Sequence, residues 1–166
     1  MDTGGSFETW YEARYRRLLG AVAVAVGDLD EAREATDEAF CRALNHWKRV
    51  QTMAAPEAWT YRVAINVQRR RAKRRAIEVR LLTKIAPRDI AWEHDLEVWD
   101  AVAQLPPRQR AVVALRYVAD MTEADIATAL GVTRGTVASQ LHDALRALRQ
   151  SLREPATLVG EDDRHG

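Results

Sequence analysis

Between Thr122 and Leu148 the chain reads TEADIATALGVTRGTVASQLHDALRAL, a pattern that admits two short amphipathic helices joined by a tight turn. Thr122 can cap the first helix, with Asp125 three residues on as a capping-box-like partner. Ile126, Ala127 and Leu130 give that helix one apolar face. Gly131 sits where the chain must leave the helix, and glycine tolerates the left-handed conformation such a stop usually needs. Thr133 can cap the second helix, whose apolar positions Val137, Leu141, Ala144, Leu145 and Leu148 follow the helical period. The outward residues near its start, Arg134, Thr136, Ser139 and Gln140, are short or polar. Two readings fit this spacing. One is a helix-turn-helix whose second helix enters the major groove of DNA; the other is an ordinary αα-hairpin packed in a core.

At 166 residues the chain can form one domain or two small ones. Apolar residues make up 47% and charged residues 30%, enough for real cores and too polar for a membrane protein. The longest apolar run, Leu18 to Val26, is interrupted by Gly20 and falls far short of the roughly 20 residues of a membrane span. The opening MDTGGSFE lacks the basic flank and apolar core of a signal peptide, so a cytoplasmic location without membrane insertion is expected. A lone Cys41 excludes an internal disulfide and a multi-cysteine zinc site. Net charge is +1, but the average conceals a pattern. Asp28, Asp30, Glu31, Glu34, Asp37 and Glu38 make one segment acidic, whereas six of the seven residues from Arg69 to Arg75 are basic. This separation suggests two partners, a basic protein surface and a polyanion.

The periodicity predicts helices throughout and strands nowhere. Phe7, Tyr11, Leu18, Val22 and Val26 mark one face of a first helix ending at Gly27. Asp28 with Glu31 resembles a capping box that opens a second helix running to about Val50. Its expected inner face includes Leu29, Ala32, Ala35, Ala39, Phe40, Ala43, Leu44 and Trp47. Pro56 suits the first turn of a third helix, since its missing N–H would be unsatisfied there anyway. The expected fold is all-α: two small helical domains over residues 7–75 and 96–152, joined by a flexible linker over 76–95. A tail over 153–166 is expected to be disordered.

The order and spacing of four blocks then become informative: FETWYEARYRRLL, DEAREATDEAFCRAL, PEAWTYRVAINVQRRRAKRR and the run from LPPRQRAVVALRYVADM through the helix-turn-helix. Together they resemble the extracytoplasmic-function (ECF) group of sigma-70 RNA polymerase sigma factors, over about residues 7 to 150. The resemblance implies a sigma-2-like bundle and a sigma-4-like helix-turn-helix domain. It implies that the acidic second helix docks on a coiled coil of the polymerase β′ subunit through Glu34, Asp37, Glu38 and Arg42, with Phe40 and Leu44 in the core. It also implies contact with the β subunit. The third helix would read the downstream (−10) promoter element and capture separated strands. Asn66 matches the family's asparagine there, and Arg62, Arg69, Arg70, Arg71, Lys73 and Arg74 would hold phosphates. Tyr61 is a candidate for stacking on bases, while Trp59, in register with Val63, reads as core. The loop Arg49 to Ala55 is where a flipped base would be recognised.

For the upstream (−35) element the resemblance implies Arg134 as the leading contact, since arginine grips guanine or phosphate in bidentate fashion. Thr136, Ser139 and Gln140 would face base edges, and Arg108 and Arg110 would hold phosphates. Some positions depart from the family pattern. Ala138 and Gln140 stand where basic residues are usual, and Asp143 would repel a phosphate. From Asp100 to Arg149 there are six basic residues against five acidic, a modest electrostatic footprint. Promoter DNA and core polymerase are thus the expected partners, and the family adds an anti-sigma protein. An alternative is a helix-turn-helix repressor or activator without a sigma role, which would act as a dimer on a palindrome. No catalytic residue, metal ligand set or cofactor is expected: the four histidines lack metal-ligand spacing, and no nucleophile motif or phosphate-binding glycine loop occurs.

Overall fold

The computed structural model describes residues 6–79 and 96–153, and every regular element among them is helical. The expected linker beyond Val79 and the expected tail beyond Arg153 lie outside the described residues. Helix α1 spans Phe7–Val26, with Ser6 accepting from the Thr9 N–H at its start. It stops at Gly27, which adopts φ +83° and returns its N–H to the Ala23 carbonyl at 2.8 Å. Helix α2 covers Leu29–Asn45, capped by Asp28, which accepts from the Glu31 N–H at 2.8 Å. Only half of a capping box forms, because the Glu31 carboxylate is taken by Gln68 and Arg75. The expected single helix to Val50 is broken at His46, where φ −116° and ψ 20° leave the helical region, and a short α3, Trp47–Val50, follows. Helix α4, Pro56–Val79, is the longest and carries the arginine run into the segment expected to be linker.

Alanines determine how closely these helices approach. Ala32, Ala35, Ala39 and Ala43 recur along one face of α2, and Ala58 and Ala64 along α4; all are fully buried. Small side chains let the α2 and α4 backbones pack tightly, while Leu18, Val22 and Phe40 fill the space left around α1. An aromatic cluster closes the other end of the bundle. Trp10 stands 5.0 Å from both Phe40 and Trp47, and Tyr11 meets Phe40 edge-on at 5.2 Å. Glu57, in the first turn of α4, receives the Trp10 indole N–H at 3.2 Å and pairs with Arg14 at 2.9 Å, fastening α1 to that turn.

The second helix group begins with α5, Leu96–Gln104, and α6, Pro107–Val113. Helix α6 runs into one wide π-helical turn over Ala114–Val118. The turn closes through the Ala119 N–H on the Ala114 carbonyl, and Asp120 beyond it adopts φ +58°. Helices α7, Glu123–Leu130, and α8, Arg134–Ser151, form the helix-turn-helix. Its caps are those expected: Thr122 on the Asp125 N–H, Gly131 at φ +67°, and Thr133 on the Thr136 N–H. Ile126, Val137, Ala144 and Leu148 join Leu115 and Val112 inside. The two groups also pack on each other, α1 against α6 and the π turn and α4 against α7, so the buried apolar cluster is continuous between them.

Two neighbouring residues of α2 part company. Phe40 is 2% exposed, as expected of core, whereas Leu44, also expected there, is 50% exposed. The break at His46 ends α2 one residue after Leu44, before another turn of the helix can continue its face. Phe40→Ala is accordingly expected to destabilise the protein by about 3–5 kcal/mol in urea unfolding. Leu44→Ala should cost no more than about 0.5 kcal/mol, as at ordinary surface positions.

Candidate nucleic-acid and polymerase interface

On α2 the outward face carries Asp37, Cys41 and Leu44, with Glu38 and Arg42 half-buried beside them. Glu38 and Arg42 pair with each other at 2.9 Å, one turn apart. The Asp37 carboxylate accepts from the Tyr15 hydroxyl at 2.5 Å. Partial burial and this bond push the Tyr15 phenol upward, so it stays a neutral donor that holds the Asp37 carboxylate in place. The result is a surface of acid and aliphatic character whose charges are positioned and still solvent-facing. Leu44 is the residue that sequence reasoning missed here. Its helical register read as core, and the break at His46 that exposes it has no signature in composition.

The acidic and arginine-rich segments do not serve separate partners throughout. Close packing of α2 on α4 brings Glu34 onto Arg71 and Glu31 onto Arg75. Arg71, expected to hold phosphate, thus pairs with Glu34, and both side chains remain about half exposed. Asn66, Arg69, Arg70, Lys73 and Arg74 remain exposed. Among the described residues those four cations have no acidic partner. Arg42, Arg70, Arg71 and Arg74 also line one shallow depression with Glu38, so the cationic strip begins at the edge of the acidic α2 face.

Tyr61 does not occupy the position a stacking platform needs. It is 2% exposed, because position 61 shares its helix face with Ala58 and lies beneath the end of α1. Burial pushes its phenol upward, opposed by the nearby Arg69 charge. Arg62 is also engaged, donating to the Thr128 carbonyl and, at 3.4 Å, to the Ala129 carbonyl of α7. Trp59, expected in the core, is only half-buried. With His46, Arg49, Val50 and Met53 it lines a cavity of about 170 Å³ beside the loop before α4. An aromatic wall, an aliphatic floor and basic side chains at the rim can hold a planar heterocycle.

The recognition helix is open. Arg134, Thr136 and Ser139 are exposed at the start of α8, and Gln140 is half-buried one turn further. Arg134 has no hydrogen-bond or ionic partner among the described residues, while the Thr136 hydroxyl is shared with the Thr133 cap at 2.9 Å. Asp143, which would repel a phosphate, faces Arg146 at 3.3 Å. Arg108 is exposed at the start of α6. Arg110, expected to hold phosphate beside it, instead donates to the Ala103 carbonyl at 2.9 Å and the Ala25 carbonyl at 3.5 Å. Its place one turn into α6 points it at the end of α1. Arg116 donates to the Met121 carbonyl and braces the exit from the π turn. No helix among the described residues is long and apolar enough to cross a membrane, and none of their His, Cys, Asp and Glu side chains group into a metal site.

Comparison with known proteins agrees with this arrangement along most of the chain. The family Sigma-70 region 2 matches residues 10–77, and the family Sigma-70, region 4 matches residues 95–148. The RNA polymerase sigma-E factor of Streptomyces coelicolor is 31% identical over 151 residues, spanning 88% of this chain and 85% of that protein. The ECF RNA polymerase sigma factor SigL of Mycobacterium tuberculosis is 36% identical over 138 residues, spanning 77% and 78%. Among solved structures, the sigma factor RpoE bound to the anti-sigma factor NepR from Bartonella quintana superimposes with a TM-score of 0.71 at 18% identity. It covers 88% of this chain and 96% of its own. CnrH in complex with the cytosolic domain of CnrY gives 0.59 at 20% identity, covering 88% and 86%. The chain belongs to the ECF group of sigma-70 RNA polymerase sigma factors.

Proposed function

We propose that this sigma factor divides its work among three surfaces. The outward face of α2, with Asp37, Glu38, Arg42 and Leu44, docks on core RNA polymerase. The exposed strip of α4, with Asn66, Arg69, Arg70, Lys73 and Arg74, holds the downstream promoter element as its strands separate. The start of α8 reads the upstream element through Arg134, Thr136 and Ser139. The observation that carries this reading is the segregation left after internal pairing: unpaired cations collect on α4, while the solvated acids and the exposed leucine collect on α2. Charged rims of this kind set orientation and association rate, and Leu44 supplies the apolar anchor they surround.

The cavity of His46, Arg49, Val50, Met53 and Trp59 is the place for a flipped base of the downstream element. Trp59 offers a ring to stack on, and Arg49 and His46 offer donors to a base edge. The chain acts as a non-enzymatic subunit in the cytoplasm, one copy per asymmetric promoter. An anti-sigma protein that silenced it would need to cover the α2 face, where docking begins.

The direct experiment combines the purified chain with core polymerase and measures transcription from candidate promoters. Association and promoter-dependent initiation are expected, and a chain that fails to bind core polymerase would overturn the reading. The division of labour has its own test. Arg134→Ala should weaken engagement of the upstream element by about 5- to 100-fold, the loss of one or two good base or phosphate contacts, with core binding intact. Asp37→Ala with Glu38→Ala should slow association with core polymerase, in a salt-dependent way, and spare upstream-element affinity of the assembled holoenzyme. Identical defects in both variants would contradict separate surfaces.

A further inference from the structure

The acids of α2 are held in two different ways. Glu31 and Glu34 pair with Arg75 and Arg71 of α4, and Glu38 pairs with Arg42 one turn along its own helix. Each of these carboxylates is fixed by a cation, so the contact that orients it also offsets its charge. Asp37 is exposed and is fixed differently. Its Oδ1 accepts from the Tyr15 hydroxyl across the contact of α1 with α2, and no cation pairs with it among the described residues.

Tyr15 serves as a fixed donor because its ring has little freedom. The ring centroid lies 4.9 Å from Tyr11 and 5.4 Å from Phe40, and Phe40 is core. Arg33, one turn before Asp37, favours the phenolate, but burial and the Asp37 carboxylate outweigh it, so the phenol keeps its proton. The hydroxyl has one proton to give, and it goes to Oδ1. A carboxylate offers about four lone-pair sites, so Oδ2 stays open to a donor from outside. Asp37 thus keeps its full negative charge in a set orientation, two turns before the exposed Leu44 and on the same face of α2.

We propose that Tyr15 is a positioning residue for docking on core polymerase: from α1 it aims the Asp37 carboxylate of α2 at a cation of the polymerase, orienting that charge without neutralising it. The inference rests on the docking role of the α2 face. A free exposed carboxylate must be ordered as the complex forms, whereas one held by a rigid aromatic is ordered before the encounter. The docking surface therefore spans two helices, with the charge on α2 and the group that sets its direction on α1.

The test is a double-mutant cycle on the full chain, with affinity and association rate for core polymerase measured for the wild type, Tyr15→Phe, Asp37→Ala and the two combined. Phenylalanine keeps the ring and its packing and removes only the hydroxyl. Tyr15→Phe is expected to weaken core binding by about three- to ten-fold, the cost of ordering one side chain during association. On the Asp37→Ala background the same substitution should change nothing, since no carboxylate is left to aim. Tyr15→Phe removes no charge, so its association rate should keep the salt dependence of the wild type, which Asp37→Ala should flatten. Wild-type affinity in Tyr15→Phe would overturn the proposal. An equal loss on both backgrounds would overturn it too, because it would mark a packing defect or a direct contact of Tyr15 with the polymerase. If Asp37→Ala bound core polymerase as the wild type does, the failure would lie in the docking role of Asp37 itself, and the positioning role would fall with it.

Discussion

The close approach of α2 and α4 is the constraint on which the remaining surfaces depend. Alanines at 32, 35, 39 and 43 on one helix and Ala58 and Ala64 on the other are fully buried, and such small side chains let the two packed helices lie close. Once they are that near, the long side chains at the edges of the contact are within reach of one another. Glu31 and Glu34 are spent on Arg75 and Arg71. Exposed pairs of this kind add little to stability individually. Their larger effect is subtractive, since they pair some charges at the surface and leave the rest sorted by face. What a partner meets on α2 or α4 is the remainder after that subtraction.

The helix-turn-helix, the Asp28 cap and the glycine stops at 27 and 131 were legible in the sequence because their causes are local. Ser, Asp or Thr three residues before a free N–H, and glycine where the chain turns left-handed, act over one turn of helix whatever lies beyond. Charge and family resemblance supplied the candidates for the site, but three residues sit otherwise than periodicity implied. Leu44 is exposed beside the break at His46. Tyr61 is buried near the end of α1, and Arg110 is engaged by that same end, both through a helix distant in sequence. Periodicity assigns a residue to a face, and it cannot say which faces are covered or by what. Trp59 shows the intermediate case, half in the bundle and half lining a cavity.

The C-terminal group reads as a weak electrostatic partner for DNA, and its internal pairing explains how it can still present a usable surface. Asp143 is directed at Arg146, so the acid that would oppose a phosphate is partly compensated within its own helix. Arg134 keeps its full donor capacity at the exposed end of α8. A recognition helix with one strong cation and several short polar side chains relies on fit and on the remainder of the assembly more than on charge.

The π turn over Ala114–Val118 bears on how such a module can vary in length. A wide turn holds one residue more than α-helical geometry requires, and that residue carries about 100° of rotation and 1.5 Å of rise. Tyr117 stands within it at 59% exposed, so the surplus is accommodated at the surface and not in the core. Losing one residue there would let the turn tighten into ordinary helix, with the hydrogen-bond ladder of α6 before it intact. The same loss within α7 or α8 would swing every downstream side chain to a new face. In a protein whose reading depends on angular phase, tolerance for insertion and deletion is thus placed in the last turn of a helix, where loops would usually supply it.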